Sequence, residues 1–377
     1  MKKAFSLFFA LLFALTLFPA SSLASTDTAK SACVMNAVTG ELVFEKNSRE
    51  RMPMASTTKI MTALVALENS ALNEVVTVSQ NAASQEGSSM YAKAGEQFYM
   101  EDMLYALMLA SGNDAAMAIA EHIGGGSQDA FVDMMNKKAW SLGAADTSFC
   151  NPSGLPNDYH FTTAADLALI TQAAMKNGSF RKIVATRART AWAINGDRSA
   201  HELYNHNKLL NIYDGAIGVK TGYTEKAGRC LVSAAKRDNM TFIAVTLGDN
   251  DDWNTHMQLL DSAFASHYPR AALEKGQVIK NVTVDGKTYS FYAADDFYVP
   301  MPKDRKIEIN AVINVGSNLK APINKDEKVG YVALKYKGEE LGRVDVLSCS
   351  DIKGVSTIRM KNGFYEAWRN IWSFFLL

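Results

Sequence analysis

The sequence is notable first for what it lacks. Its 377 residues carry 39 Lys+Arg against 39 Asp+Glu, a formal net charge of +0. That balance gives no global electrostatic drive toward nucleic acid or an acidic polymer, and no acidic or basic tail is present. The longest predominantly apolar run, residues 4–18, is short for a hydrocarbon core of ~30 Å. The 4 cysteines, Cys33, Cys150, Cys230 and Cys349, are scattered and form no C-x-x-C pair, so no zinc-site spacing exists. They allow three disulfide pairings, among which the sequence does not choose, and they read as small buried residues. There is no G-x-G-x-x-G, and Gly124-Gly125-Gly126 lacks the Lys-Ser/Thr of a phosphate loop and reads as a helix end. His201 and His206 lie five positions apart, not at the i, i+4 spacing of a zinc-binding helix. No cofactor, no metal and no nucleic-acid partner are expected.

What is present begins with bulk: 48% of residues are apolar, enough for a sizeable core. The length suggests about two domains of ~100–200 residues each. At the N-terminus, Lys2 and Lys3 precede the apolar run, then Pro19 and small residues ending in Ser22-Leu23-Ala24. That is the pattern of a signal peptide over residues 1–24 with a mature start at Ser25, so export is expected. At the other end, Phe364, Trp368, Ile371, Trp372 and Phe375 repeat at helical spacing. Interrupted by Glu366, Arg369 and Asn370, they read as an amphipathic helix over 360–377 lying on a membrane surface rather than crossing it.

Between these ends the pattern changes twice. Residues 33–37 and 41–45 read as a hairpin around Val38-Thr39-Gly40. A helical stretch follows, with Ser56 opening a helix that shows Ile60, Leu64 and Leu67 on one face, then helices over 101–110, 114–122, 129–139 and 163–176. Strands return at 217–220, 229–235 and 241–247, followed by a helix over 252–266. Early and late strands can share one sheet, giving an α/β sandwich with an inserted helical region over residues 25–268. Short alternating strands then run over 283–292, 306–314, 328–336 and 341–347, a small antiparallel β domain over 275–350.

Five S-x-x-K strings occur, at Ser56, Ser179, Ser233, Ser317 and Ser350. On a helix, residues three apart share a face, so hydroxyl and amine can meet; on a strand they diverge. Ser233 falls on a strand, and Ser317 and Ser350 in loops. Ser179 is a candidate helix cap, leaving Ser56 with Lys59 at the start of the long apolar helix. A serine hydroxyl needs a base, and a lysine serves when burial or a neighbouring cation lowers its pKa. Two further strings have weak meaning alone. Ser111-Gly112-Asn113 lies between two helices and presents a hydroxyl and an amide. Lys220-Thr221-Gly222 closes a strand whose edge can pair with an extended peptide.

Together, S-x-x-K, S-x-N and K-T-G in that order are the trio of penicillin-binding proteins and class A β-lactamases. Longer stretches, "MASTTKIMTAL", "MLASGNDAAMAIAEHIGG", "FCNPSGLPNDYHFTTAADLALI", "NHNKLL" and "GVKTGYTEKAGRCLV", resemble the D-alanyl-D-alanine carboxypeptidases, the low-molecular-mass penicillin-binding proteins. The resemblance runs from about residue 30 to the C-terminus. It implies a β-lactamase/transpeptidase-like sandwich followed by a small antiparallel β-sandwich, an extracytoplasmic serine peptidase acting on peptidoglycan stem peptides ending in D-Ala-D-Ala, and acylation by β-lactam antibiotics. It implies Ser56 as nucleophile and Lys59 as general base, with Ser111 and Asn113 assisting. Backbone N–H groups of Ser56 and Tyr223 would form the oxyanion hole, and Lys220, Thr221 and Gly222 would bind substrate. Two departures concern substrate preference: Tyr223 follows K-T-G where many relatives have histidine, and His206 stands where some have arginine. A serine β-lactamase and a non-catalytic penicillin- or peptidoglycan-binding module are the alternative readings. No E-x-x-x-N loop of a class A lactamase is evident between Asn113 and Lys220.

Overall fold

A computed structural model describes residues 28–284, 287–316, 318–353 and 358–359. The expected signal peptide and the expected helix over 360–377 lie outside the described residues.

The N-terminal hairpin, β1 (Ala29–Asn36) and β2 (Leu42–Lys46), joins three strands from some 180 positions later. These are β3 (Ala216–Thr224), β4 (Gly228–Arg237) and β5 (Met240–Asp249). The antiparallel sheet has the order β2-β1-β5-β4-β3, which leaves β3 at an edge. Alternate side chains face opposite ways along a strand, and both faces here are covered. Cys33, Met35, Val232, Ile243 and Val245 pack into the helical region, whereas Ala32, Val34, Leu231, Phe242 and Ala244 pack against helix Asp252–Ser266.

The inserted region contributes α1 (Lys59–Asn69), α2 (Met100–Met108), α3 (Asn113–Ile123), α4 (Gln128–Ser141), α5 (Ala164–Lys176) and α6 (Gly178–Ala185); the helix after the sheet, Asp252–Ser266, is α7. Helix α1 is central and touches α2, α3, α4 and α5. Every residue from Lys59 to Ala66 is buried, so the helix is covered all round rather than on the single face expected from its sequence. Ser56 also departs from expectation. It lies in a 3₁₀ turn, Ala55–Thr58, and the α-helix proper begins at Lys59. The hydroxyls of Thr57 and Thr58 donate to the carbonyls of Met54 and Ala55 at 2.6 and 2.8 Å, which favours the tighter i to i+3 winding. Thr163 caps α5 by accepting from the Asp166 N–H. Asn177, not Ser179, caps α6.

Beyond α7, β6 (His267–Leu273) pairs with a strand at Phe297–Pro302, a ribbon the sequence pattern conceals. Pro269 stands directly opposite Pro300, and proline argues against a strand because it donates no ladder bond. A five-stranded antiparallel sheet completes this unit. Its strands, counting Phe297–Pro302 as β9, are β7 (Val278–Val284), β8 (Lys287–Ala293), β10 (Asn310–Val315), β11 (Lys328–Tyr336) and β12 (Glu339–Ser348), in the order β7-β8-β12-β11-β10. The single strand expected over 283–292 is therefore two strands of one hairpin. That expected over 306–314 starts only at Asn310. The units meet where Glu41 accepts from Lys337 (2.8 Å), Arg305 (3.2 Å) and the Tyr336 hydroxyl. Asn36 Nδ2 also donates to the Pro300 carbonyl at 3.1 Å.

Candidate active site

Three segments distant in sequence converge on one cleft of about 520 Å³: the 3₁₀ turn ahead of α1, the α2–α3 loop, and the edge strand β3. Ser56, Ser111, Thr221, Gly222, Tyr223 and His206 are among its lining residues. Lys59 lies beneath it, fully buried, with Nζ 2.9 Å from Ser56 Oγ, 2.7 Å from Asn113 Oδ1 and 2.7 Å from the Ser153 carbonyl. The Asn113 amide is oriented by its other end, since Nδ2 donates to the Glu86 carbonyl at 2.6 Å.

Burial holds the Lys59 ammonium well below its ordinary pKa. The Lys220 cation lowers it further, and Asp114 opposes the shift. A neutral amine has two N–H donors and one lone pair. Asn113 Oδ1 and the Ser153 carbonyl can only accept, so they take the two donors, and the lone pair is left facing the Ser56 hydroxyl. That is the arrangement of a base on its nucleophile. Lys220, 1% exposed, is pushed down to about 7 by burial, and its Nζ donates to the Thr221 carbonyl at 3.0 Å.

The backbone around these groups is unusual. Ala55 and Ser111 adopt φ of 47° and 58°, a region costly to residues with a Cβ. Each lies in or beside a hydroxyl-bearing segment of the cleft. Ala55 is held by a relay: Thr58 Oγ1 donates to its carbonyl and lies 2.8 Å from His160 Nε2. His160 Nδ1 accepts from the Cys150 N–H at 3.0 Å, which places the ring proton on Nε2, facing Thr58. Burial, and then Lys59, lower the His160 pKa to about 4, so the ring stays neutral. The first turn of α3 is tied to the segment 89–92 by Asp114, whose carboxylate accepts from Ser89 Oγ and from the N–H groups of Met90 and Ala92. Ser111 Oγ has no hydrogen-bond partner among the described residues and faces the cleft. Gly222 is required by space: a Cβ there would stand 3.0 Å from the Ser56 N and 3.1 Å from the Thr57 N.

The structure thus brings Ser56, Lys59, Ser111, Asn113, Lys220, Thr221, Gly222 and Tyr223 to one place. The rival serines lie elsewhere. Ser233 Oγ is 2.6 Å from His256 Nδ1 on the opposite face of the sheet. Ser179 is in α6, and its Lys182 reaches Glu101. Ser350 is exposed, and Ser317 lies outside the described residues. His201 turns inward to Met90 and Glu96, whereas His206 lines the cleft. The four cysteines are free, with Cys33 and Cys230 buried. Sequence reasoning missed the Ser153 carbonyl, His160 and Asp114. A backbone carbonyl leaves no side-chain signal, and the other two act through neighbours.

A hydroxyl on a desolvated amine, in a cleft beside an open strand edge, defines a serine hydrolase suited to an extended peptide. Comparison with known proteins narrows the class. Residues 19–251 match the family model for D-alanyl-D-alanine carboxypeptidase, and residues 269–354 match that for the penicillin-binding protein 5 C-terminal domain. The D-alanyl-D-alanine carboxypeptidase DacF of Bacillus subtilis is 35% identical over 337 residues, 86% of each chain. The crystal structure of D-alanyl-D-alanine carboxypeptidase DacD from Francisella tularensis superposes with a TM-score of 0.62 at 27% identity, covering 92% of this chain and 98% of that one. The DD-transpeptidase of Streptomyces K15 gives 0.60 at 35% identity over 63% of this chain and 97% of its own. This chain belongs to the D-alanyl-D-alanine carboxypeptidase family of serine peptidases.

Proposed function

We propose that this chain removes the terminal D-alanine from peptidoglycan stem peptides through an acyl-enzyme on Ser56. The observation that carries the reading is the Lys59 amine, buried and lowered in pKa, 2.9 Å from Ser56 Oγ. Lys59 Nζ takes the hydroxyl proton as Oγ attacks the carbonyl carbon of the penultimate D-alanine. The resulting oxyanion is stabilised by the backbone N–H groups of Ser56 and Tyr223, a contribution of ~10²–10³ in rate for one such donor. The C–N bond breaks, the leaving amine receives a proton by way of Ser111, and free D-alanine departs. Water then attacks the ester, again with Lys59 as base, and Ser56 is regenerated. Asn113 holds the peptide backbone, while Lys220 and Thr221 receive the terminal carboxylate. The substrate lies as an added strand on β3, and Gly222 leaves it room.

A β-lactam acylates the same hydroxyl, and the ester persists. We assign residues 25–268 to the catalytic domain and 275–350 to the β domain. Export through residues 1–24 and attachment to the extracytoplasmic face of the cell membrane through residues 360–377 rest on sequence pattern. Among the described residues no helix is long and apolar enough to cross a membrane. Incubation with a pentapeptide ending in D-Ala-D-Ala tests the reading: free D-alanine appears with the native chain and not with Ser56→Ala. Equal release by both would overturn it.

A further inference from the structure

Between α6 and β3 the chain forms a hairpin, Ala188–Trp192 paired with Ala200–Tyr204. Its two faces differ. On the inner face Ala191 and Leu203 are buried, and Arg189 binds Asp102 through Nε (3.0 Å) and Nη2 (2.8 Å) while stacking on Tyr105. His201 lies edge-on to Phe98 with ring centroids 5.3 Å apart. The outer face carries Trp192 and Tyr204, exposed at 54% and 62%, with Thr190 and Glu202 between them, hydrogen-bonded at 2.9 Å. The register puts these four side chains on one face. Exposed Trp and Tyr offer large amphipathic ring faces, the kind of side chain that serves as a contact residue.

Beyond this face the chain enters the cleft lining. Exposure alternates past the end of the strand: Glu202, Tyr204, His206 and Lys208 are exposed, whereas Leu203, Asn205 and Asn207 turn inward. Asn205 is fixed by Nδ2 donating to the carbonyls of Val184 and Thr186. His206 and Lys208 both line the cleft that holds Ser56. The outer face of the hairpin thus ends at Tyr204, two residues before His206 enters the cleft lining.

We propose that the outer face of this hairpin is a docking track for the glycan strand that bears the stem peptide, with Trp192 and Tyr204 as its stacking residues. The inference rests on the peptidase reading above. The rings lie about four strand residues apart, ~14 Å along the hairpin, a spacing that leaves room for sugar rings between two stacked ones. An amino-sugar ring offers an apolar C–H face to an aromatic ring and hydroxyl and acetamido groups to Glu202. Glu202 is the only charged residue among the paired positions of this face, which suits a neutral polymer better than an anionic lipid surface. The track acts on binding of glycan-linked substrate and leaves the chemistry at Ser56 untouched.

The test uses the full chain and three variants, Trp192→Ala, Tyr204→Ala and the double. The probes are an insoluble, neutral polymer of N-acetylglucosamine (chitin) as the peptide-free glycan, peptidoglycan glycan strands carrying pentapeptides, and free pentapeptide. Each substitution is expected to weaken co-sedimentation with peptide-free glycan roughly tenfold, and to lower kcat/KM on glycan-linked pentapeptide to a similar extent. Turnover of free pentapeptide stays within about twofold, because neither ring touches the cleft groups. Unchanged sedimentation of the double variant would overturn the proposal. So would an equal loss on free and glycan-linked peptide, or a change of oligomeric state in the double variant, which would make the face a contact between copies. If the native chain released no D-alanine from either substrate, the peptidase reading would fall, and the peptide-free glycan arm would still decide this one.

Discussion

Between Ala29 and His267 the chain buries Lys59, Lys220, Asn113, Asp114 and His160 alongside its apolar residues. Beyond Leu273, Ser348 is the only buried polar residue among those described. The β unit keeps its ions on the surface, in solvent-screened pairs such as Lys328–Asp345 and Arg343–Glu340 that contribute little to stability. Its interior is a plain apolar cluster around Phe291, Val332, Leu334 and Val346. A buried cation costs several kcal/mol unless partners compensate it, so a chain carries one where chemistry requires it. The contrast also separates the two lysines. Among the described residues Lys59 has three partners, whereas Lys220 has only the Thr221 carbonyl. Burial of Lys59 is compensated by polar partners, and that of Lys220 is left largely uncompensated.

Breaking the catalytic half should have the largest effect. Ser56→Ala is expected to lower kcat/KM by ~10⁴ or more with Tm unchanged, as measured by D-alanine release and calorimetry. Gly222→Ala comes next, at ~10²–10³ in kcat/KM, because the added methyl would stand in front of the Ser56 N–H. Full activity in that variant would remove the oxyanion role from the Ser56 amide.

Lys220 sharpens the comparison through stability. In the unfolded chain it titrates near ~10.4, and in the folded protein at about 7. At pH 6 both states are protonated and the folded state bears the full cost of the buried cation. From 7 to ~10.4 the unfolded state binds the extra proton, so stability rises with pH over that window. Lys220→Met is therefore expected to raise Tm at pH 6, by roughly 2–4 °C per kcal/mol relieved. The gain should shrink as pH rises through that window and vanish above ~10.4, while peptide turnover is impaired throughout. A gain that stays constant with pH would show that packing, not charge, is responsible.

The smallest effect is expected at the junction. Glu41→Gln weakens the links to Arg305, Lys337 and Tyr336, and should split one calorimetric transition into two while free-pentapeptide turnover stays within about twofold. A marked loss of turnover would mean that the β unit holds the cleft in shape.

The sequence made the side chains of the cleft legible because S-x-x-K, S-x-N and K-T-G are chemical requirements as well as patterns. It did not reveal what holds them. The Ser153 carbonyl, the φ of Ala55 and the Thr58–His160 relay are products of tertiary structure, with no local periodicity to mark them. The shared sheet was readable from the order of strands, helices and strands. The Pro269–Pro300 ribbon was not, since its prolines signal the opposite of a strand. The 3₁₀ turn at Ser56 was hidden because its threonines bond to backbone rather than following helix propensity.

The central claim is that the hydroxyl on the buried lysine is the group that becomes acylated. Mass spectrometry after incubation with benzylpenicillin, followed by tryptic digestion, reads this directly. The account predicts one drug mass added per chain, on the peptide spanning residues 52–59, and none in Ser56→Ala. An adduct of the same stoichiometry on any other peptide, or on the Ser56→Ala chain, would contradict it.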